Sequence, residues 1–154
     1  MADAIPGELW AQQPGPEQWS AAQVVGHLVV VERAIIGKAD SVAQRTPLRI
    51  PRLKRMHLPL WLVQARVIRR KSPLPLDDGL IAEKETMLGE LRGARERTFA
   101  FLSETQGRNL DTYYWRHPFL GMLNTYEWME MIAAHQLRHA KQVREIHGTV
   151  SRKW

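Results

Sequence analysis

Apolar side chains recur at three- and four-residue intervals in three long stretches of this chain. In the last, NTYEWMEMIAAHQLRHAKQVREIH at residues 124–147, Trp128, Met131, Ile132, His135, His139, Gln142, Val143 and Ile146 fall on one stripe of an α-helix. Asn124 with Glu127 three residues on reads as a capping box at its start, and Gly148 as a stop. The first stretch opens with a second capping box, Ser20 with Gln23, and predicts a helix to about Lys38. Its inward face is Val24, His27, Leu28, Val31, Ala34 and Ile35. Valines at 24, 25, 29, 30 and 31 lower its helix propensity by a few tenths of a kcal/mol each. A run of about 19 residues is nonetheless too long for a typical strand. The middle stretch predicts a helix at about 78–104, capped by Asp77-Asp78. Leu80, Met87, Leu88, Leu91, Thr98, Phe99 and Leu102 face inward, with mixed charges such as Glu90, Arg92, Arg95 and Glu96 outward.

Between these stretches the pattern changes. Residues 1–18 carry Pro6, Pro14 and Pro16 with Gly7 and Gly15, which rules out a long helix and leaves at most a turn near Glu8–Gln12. Residues 41–76 lack any acid and hold Arg45, Arg49, Arg52, Lys54, Arg55, Arg66, Arg69, Arg70 and Lys71 among several prolines. A fourth helix is expected there at about 53–70, starting or kinking at Pro59. The aromatic connection TQGRNLDTYYWRHPFLGML, residues 105–123, reads as a long loop of the kind that closes one end of a pocket. The sum predicts an all-α chain, a four-helix bundle whose stripes bury one another, in a single domain over 1–154 with a shortened N-terminal segment.

Composition narrows the chemistry. No cysteine is present, so disulfides, thiolate metal sites and a cysteine nucleophile are excluded, in keeping with a cytoplasmic protein. The N-terminus has neither the basic nor the apolar part of a signal peptide, and no run nears the roughly 20 apolar residues that cross a bilayer. The net charge of +6 and the pI near 10.1 favour anionic partners without naming one. Segment 45–71 admits two readings, a nucleic-acid or membrane contact and a solvated basic face; the absence of an interleaved aromatic repeat favours the second.

The histidines carry the sharper signal. His27, His135 and His139 all fall on the apolar stripes, whereas His57, His117 and His147 form no such set. A pair at i and i+4 plus one imidazole from a facing helix can supply three nitrogen ligands at about 2.0–2.1 Å, with a position left open. Such an ion would lower the pKa of bound water or polarise a substrate atom. Core histidines satisfied by carbonyls or water are the other reading, and spacing alone leaves both open. Gln136 follows His135, so the glutamate of the metalloprotease H-E-x-x-H is missing. No nucleophile elbow, Walker A loop or dinucleotide fingerprint occurs.

Two segments extend the picture beyond spacing. PEQWSAAQVVGHLVVVE, with Trp19, Ser20, His27, Leu28 and Glu32, and HPFLGMLNTYEWMEMIAAHQLRHAKQV, with its HP-x-x-G segment and its H-x-x-x-H followed by a glutamine, resemble the DinB/YfiT-like superfamily. The resemblance implies a four-helix bundle, often dimeric, with a divalent ion (nickel or zinc foremost) on His27, His135 and His139. Characterised members of that family include thiol S-transferases using a low-molecular-weight thiol, a thiol-dependent maleylpyruvate isomerase and proteins described as metal-dependent hydrolases. A water or thiolate on the metal is then the expected reactive species, with a small-molecule substrate and a homodimer as further expectations. The short N-terminus departs from the family's usual first helix, so the basic helix or a second chain is expected to complete the bundle. A binding role for the basic segment and a catalytically idle structural member are the alternatives.

Overall fold

A computed structural model describes residues 2–47, 50, 57–64 and 83–153. Two single-turn 3-10 helices, Ala2–Ala4 and Gly7–Leu9, precede helix α1 (Ala21–Ala43). Helix α2 (Trp61–Gln64) is one turn long, and α3 (Lys84–Glu104) is followed by strands β1 (Tyr114–His117) and β2 (Gly121–Asn124) and by helix α4 (Thr125–Val150). The fold is mostly helical, and the all-α expectation is corrected by one small sheet. Of the basic helix expected over 53–70, residues 57–64 are described. Residues 57–60 are not helical, because His57 bridges to Gly121, and only Trp61–Gln64 form a turn of helix. The remainder, like the Asp77-Asp78 cap and Leu80, lies outside the described residues.

Both capping boxes form as read from the sequence. Ser20 Oγ accepts from the Gln23 amide while Gln23 Oε1 accepts from the Ser20 amide, and Asn124 and Glu127 repeat the exchange on α4. Four orphan donors at the two helix starts are thereby satisfied by side chains only three residues away. The predicted ends hold less well. Helix α1 continues to Ala43 because Ala39, Val42 and Ala43 are buried. Gly148 does not stop α4, which runs to Val150; that side chain is 1% exposed, in a cluster with Ile5, Leu9 and Trp10. Burying Val150 outweighs the roughly 1 kcal/mol helical penalty of one glycine.

The N-terminal segment supplies those partners despite its prolines. It turns twice and presses Ile5, Leu9 and Trp10 onto α1, α3 and α4, filling the end of the helix cluster that a missing helix would leave open. Lys84 Nζ donates to the Asp3 carbonyl and Lys153 Nζ to that of Pro14, which ties the segment at both ends. On α3 the inward face follows Met87, Leu91, Ala94, Thr98, Phe101 and Thr105. The expected Phe99 and Leu102 are exposed, as is Ala34 of α1, since each sits about one residue off the true stripe.

Strands β1 and β2 pair antiparallel in the register Tyr114↔Asn124 to His117↔Gly121, where an aromatic loop was expected. Strands of four residues are marginal alone. Here the Trp115 ring stacks on Trp128 at 4.9 Å and Trp128 Nε1–H donates to the Trp115 carbonyl. Gly121 closes the three-residue turn at φ +106°, a conformation that a Cβ resists. Segment 57–64 is clasped against this hairpin: the Leu58 amide donates to the Leu120 carbonyl, and His57 Nε2 lies 2.9 Å from Glu127 Oε1. The Leu58 carbonyl, and then the Glu127 and Glu130 carboxylates, outweigh burial and raise the pKa of His57.

Two outcomes test this account. Gly148→Ala should stabilise the protein by about 0.5–1 kcal/mol in urea unfolding, because the position is helical and exposed and an added Cβ meets nothing within 4 Å. His57 binds its proton more tightly folded than unfolded, so its contribution is complete below its ordinary value of 6.5 and fades as pH rises through the folded pKa. The stability gap between wild type and His57→Ala should therefore be larger near pH ~5.5 than near pH ~8.5. An equal gap at both values refutes the clasp.

Candidate metal centre

The apolar interior is divided in two. One cluster joins Ile5, Trp10, Val24, Val25, Val143 and Val150 near the chain ends. The other joins Ile35, Ile36, Phe101, Leu123, Trp128 and Ile132 beside the hairpin. His27, His135 and His139 come from the parts of α1 and α4 that lie between these clusters in sequence, as do Glu32 and Gln136, and Thr98 lies likewise between them on α3.

The three expected imidazoles meet. His27 Nε2 lies 3.2 Å from His135 Nε2, and His139 Nε2 lies 3.1 Å from the same atom. Ring centroids are 4.5–5.0 Å apart, with interplanar angles of 67–79°. His27 and His139 are buried, and His135 is partly so. Burial pushes His27 down to about 4. His135 is pushed to about 2 by burial and then by the nearness of His139, His27, Arg138 and His117. At neutral pH these two rings are therefore uncharged, each with one nitrogen lone pair to offer.

Hydrogen bonding alone does not settle such a cluster. A neutral imidazole nitrogen carries one proton or one in-plane lone pair, yet His135 Nε2 faces two other Nε2 atoms. It cannot make a well-directed hydrogen bond to both. Three imidazole nitrogens within 4.8 Å of one another suit a cation, and the separations of 3.1–3.2 Å from His135 Nε2 are compatible with nitrogens each about 2.0–2.1 Å from a shared ion. His139 Nδ1–H donates to Gln142 Oε1 at 2.8 Å, which selects the neutral tautomer with Nε2 unprotonated. This is the glutamine that follows the H-x-x-x-H segment. Trp19, just before the α1 cap, lies 5.1 Å from the His27 ring and 6.4 Å from that of His139, walling the cluster on one side.

Two groups near the cluster escaped the stripe reading. Glu32 is only 2% exposed, and its carboxylate accepts from Thr98 Oγ1 at 2.6 Å, Gln136 Nε2 at 2.7 Å and Arg95 Nη2 at 3.2 Å. One carboxylate thus joins α1, α3 and α4 beside His135, and Arg95, expected on the outer face, turns inward to reach it. The other is His117, excluded from the histidine set by its position in an expected loop. The hairpin brings it 5.1 Å from the Trp128 ring, and its charge would bear on His135. An HP dipeptide followed by glycine between aromatic residues was the available signal for that turn.

Comparison with known proteins gives the family of the chain. The family model of the DinB superfamily matches residues 1–143. The chain belongs to the DinB superfamily. The match includes the irregular N-terminal segment. The chain is also similar to the uncharacterized protein YuaE of Bacillus subtilis (strain 168), at 25% identity over 142 residues, 92% of this chain and 85% of that one. Among the described residues, no helix of this DinB-superfamily chain is long and apolar enough to cross a membrane.

Replacing Glu32 tests the brace. Glu32→Ala leaves a hydroxyl, an amide and a guanidinium without their acceptor and should cost about 3 kcal/mol in urea unfolding. Glu32→Gln, which keeps one carbonyl acceptor, should cost less than half of that. A loss within the ~0.5 kcal/mol usual for surface substitutions would show that the brace contributes nothing.

Proposed function

We propose that this chain is a metal-dependent enzyme of the thiol S-transferase or hydrolase type, with a divalent ion, nickel or zinc, held by Nε2 of His27, His135 and His139. The observation that carries the reading is the double contact of His135 Nε2, which one lone pair or one proton cannot satisfy. A ligand set of three imidazoles and no carboxylate suits a borderline ion such as these and leaves coordination positions free. What such an ion supplies when bound is Lewis-acid polarisation and stabilisation of a deprotonated water or thiol.

The protein's own contributions follow from the site. Burial keeps the His27 and His135 rings uncharged at neutral pH, so no proton competes there for the donor atoms. Gln142 holds the His139 tautomer, and the Trp19 ring shields one side from water. Glu32 is committed to three donors and so acts as a brace, with no free role as a general base. Because the chain has no cysteine, a thiol nucleophile would have to come from a low-molecular-weight thiol. The basic stretch 45–71, the ground for a polyanion-binding alternative, falls largely outside the described residues.

Metal analysis of protein purified without chelator should find about one equivalent of a divalent ion, absent from His135→Ala. Apo-protein given nickel or zinc at ~100 times its dissociation constant should gain about 2.7 kcal/mol of stability. A variant with all three histidines replaced by apolar residues should fold and show no response. Less than about a tenth of an equivalent, with melting unchanged by added ion, would remove the metal reading.

A further inference from the structure

We infer that His117 is a substrate-binding residue, presenting a fixed Nε2–H donor to an oxygen of a ligand seated between the β1–β2 hairpin and the histidine cluster. The inference rests on the metal-site reading above and adds a group that the cluster does not contain. His117 is the last residue of β1, and its Nδ1 accepts from two backbone amides of the turn, Phe119 and Leu120, both at 3.1 Å. Those bonds commit Nδ1 as an acceptor, so the ring proton resides on Nε2, at the other side of the ring from the turn. The ring is half-buried against Trp128 and Phe119, at 5.1 and 6.0 Å between centroids.

Trp128 lies on the same stripe of α4 as His135, two helical turns before it, which places His117 on the hairpin side of the triad. Among the described residues no protein group accepts from His117 Nε2. A half-buried donor with no partner gains by meeting an acceptor. Burial also pushes the His117 pKa down to about 4, so the ring is a neutral donor at pH 7 and cannot serve as a cationic clamp. The ligand class is therefore one with an oxygen acceptor, such as a carbonyl, that a neutral N–H donor can hold.

Acetohydroxamate, whose two oxygens bind metals and can at the same time accept a hydrogen bond, is a suitable probe on protein loaded with cobalt(II). Visible absorption reports both cobalt binding and the probe's arrival. His117→Phe should leave the cobalt dissociation constant within about twofold of wild type and weaken acetohydroxamate about tenfold, the loss of one hydrogen bond. His117→Gln, which keeps a donor at similar reach, should recover part of that loss. Long-range proton–nitrogen spectra of wild type should show Nε2 protonated and Nδ1 bare. Equal acetohydroxamate affinity in wild type and His117→Phe, with cobalt still bound, overturns this inference and spares the metal site. Failure of wild type to bind cobalt overturns both.

Discussion

Three imidazoles converging inside an apolar fold are the constraint around which the rest of this molecule is arranged. Buried polar groups must be satisfied, and His135 Nε2 faces more nitrogen than a single hydrogen bond can use. The surroundings supply what the cluster lacks. Gln142 fixes one tautomer, Trp19 covers one flank, and the capping boxes of Ser20 and Asn124 set where the two helices bearing the histidines begin. An N-cap fixes the phase of a helix as well as its start, since the stripe rotates by about 100° per residue. Each cap thereby contributes to aiming an imidazole far along the chain.

Interrupting the core at this level has an energetic consequence. Apolar residues in place of the histidines would pack with the clusters on both sides and avoid burying ring nitrogens. Stability alone does not favour such a layer. The Glu32 brace follows the same pattern: a carboxylate in the interior, held by three donors from two other helices, is a costly way of joining helices. Two buried polar assemblies at adjacent levels are better explained by a demand for fixed geometry near His135 than by a demand for stability. The surface pairs between α1 and α3, Arg33 with Glu90 and Arg97 with Asp40, contribute little by comparison.

Part of the fold lay open in the chain. Ser20 with Gln23 and Asn124 with Glu127 are local signals read within three residues, and the α4 stripe from Trp128 to Ile146 was legible because eight positions repeat one period. The α3 face was less legible. Phe99 and Leu102 are as apolar as Phe101, and periodicity over charged surroundings did not separate neighbouring phases. The hairpin went unread because four-residue strands have too little alternation to register; the Trp115–Trp128 stack holds them in place and spans thirteen residues.

The sequence by itself determined the helical character, the two helix starts and the identity of three histidines on inward stripes, since each depends on neighbours within a few turns; its lack of cysteine excluded a thiolate from the chain itself. Only the tertiary structure decided that those histidines meet, because His27 and His135 are separated by 108 residues and a stripe specifies a direction without a partner. The fold likewise decided that α4 passes through Gly148, that a proline-rich segment fills the end of the core, and that Arg95 turns inward to Glu32. His117 was placed by the hairpin alone. In each case the deciding energy is burial against, or a bond to, a group distant in the chain, which local propensity does not encode.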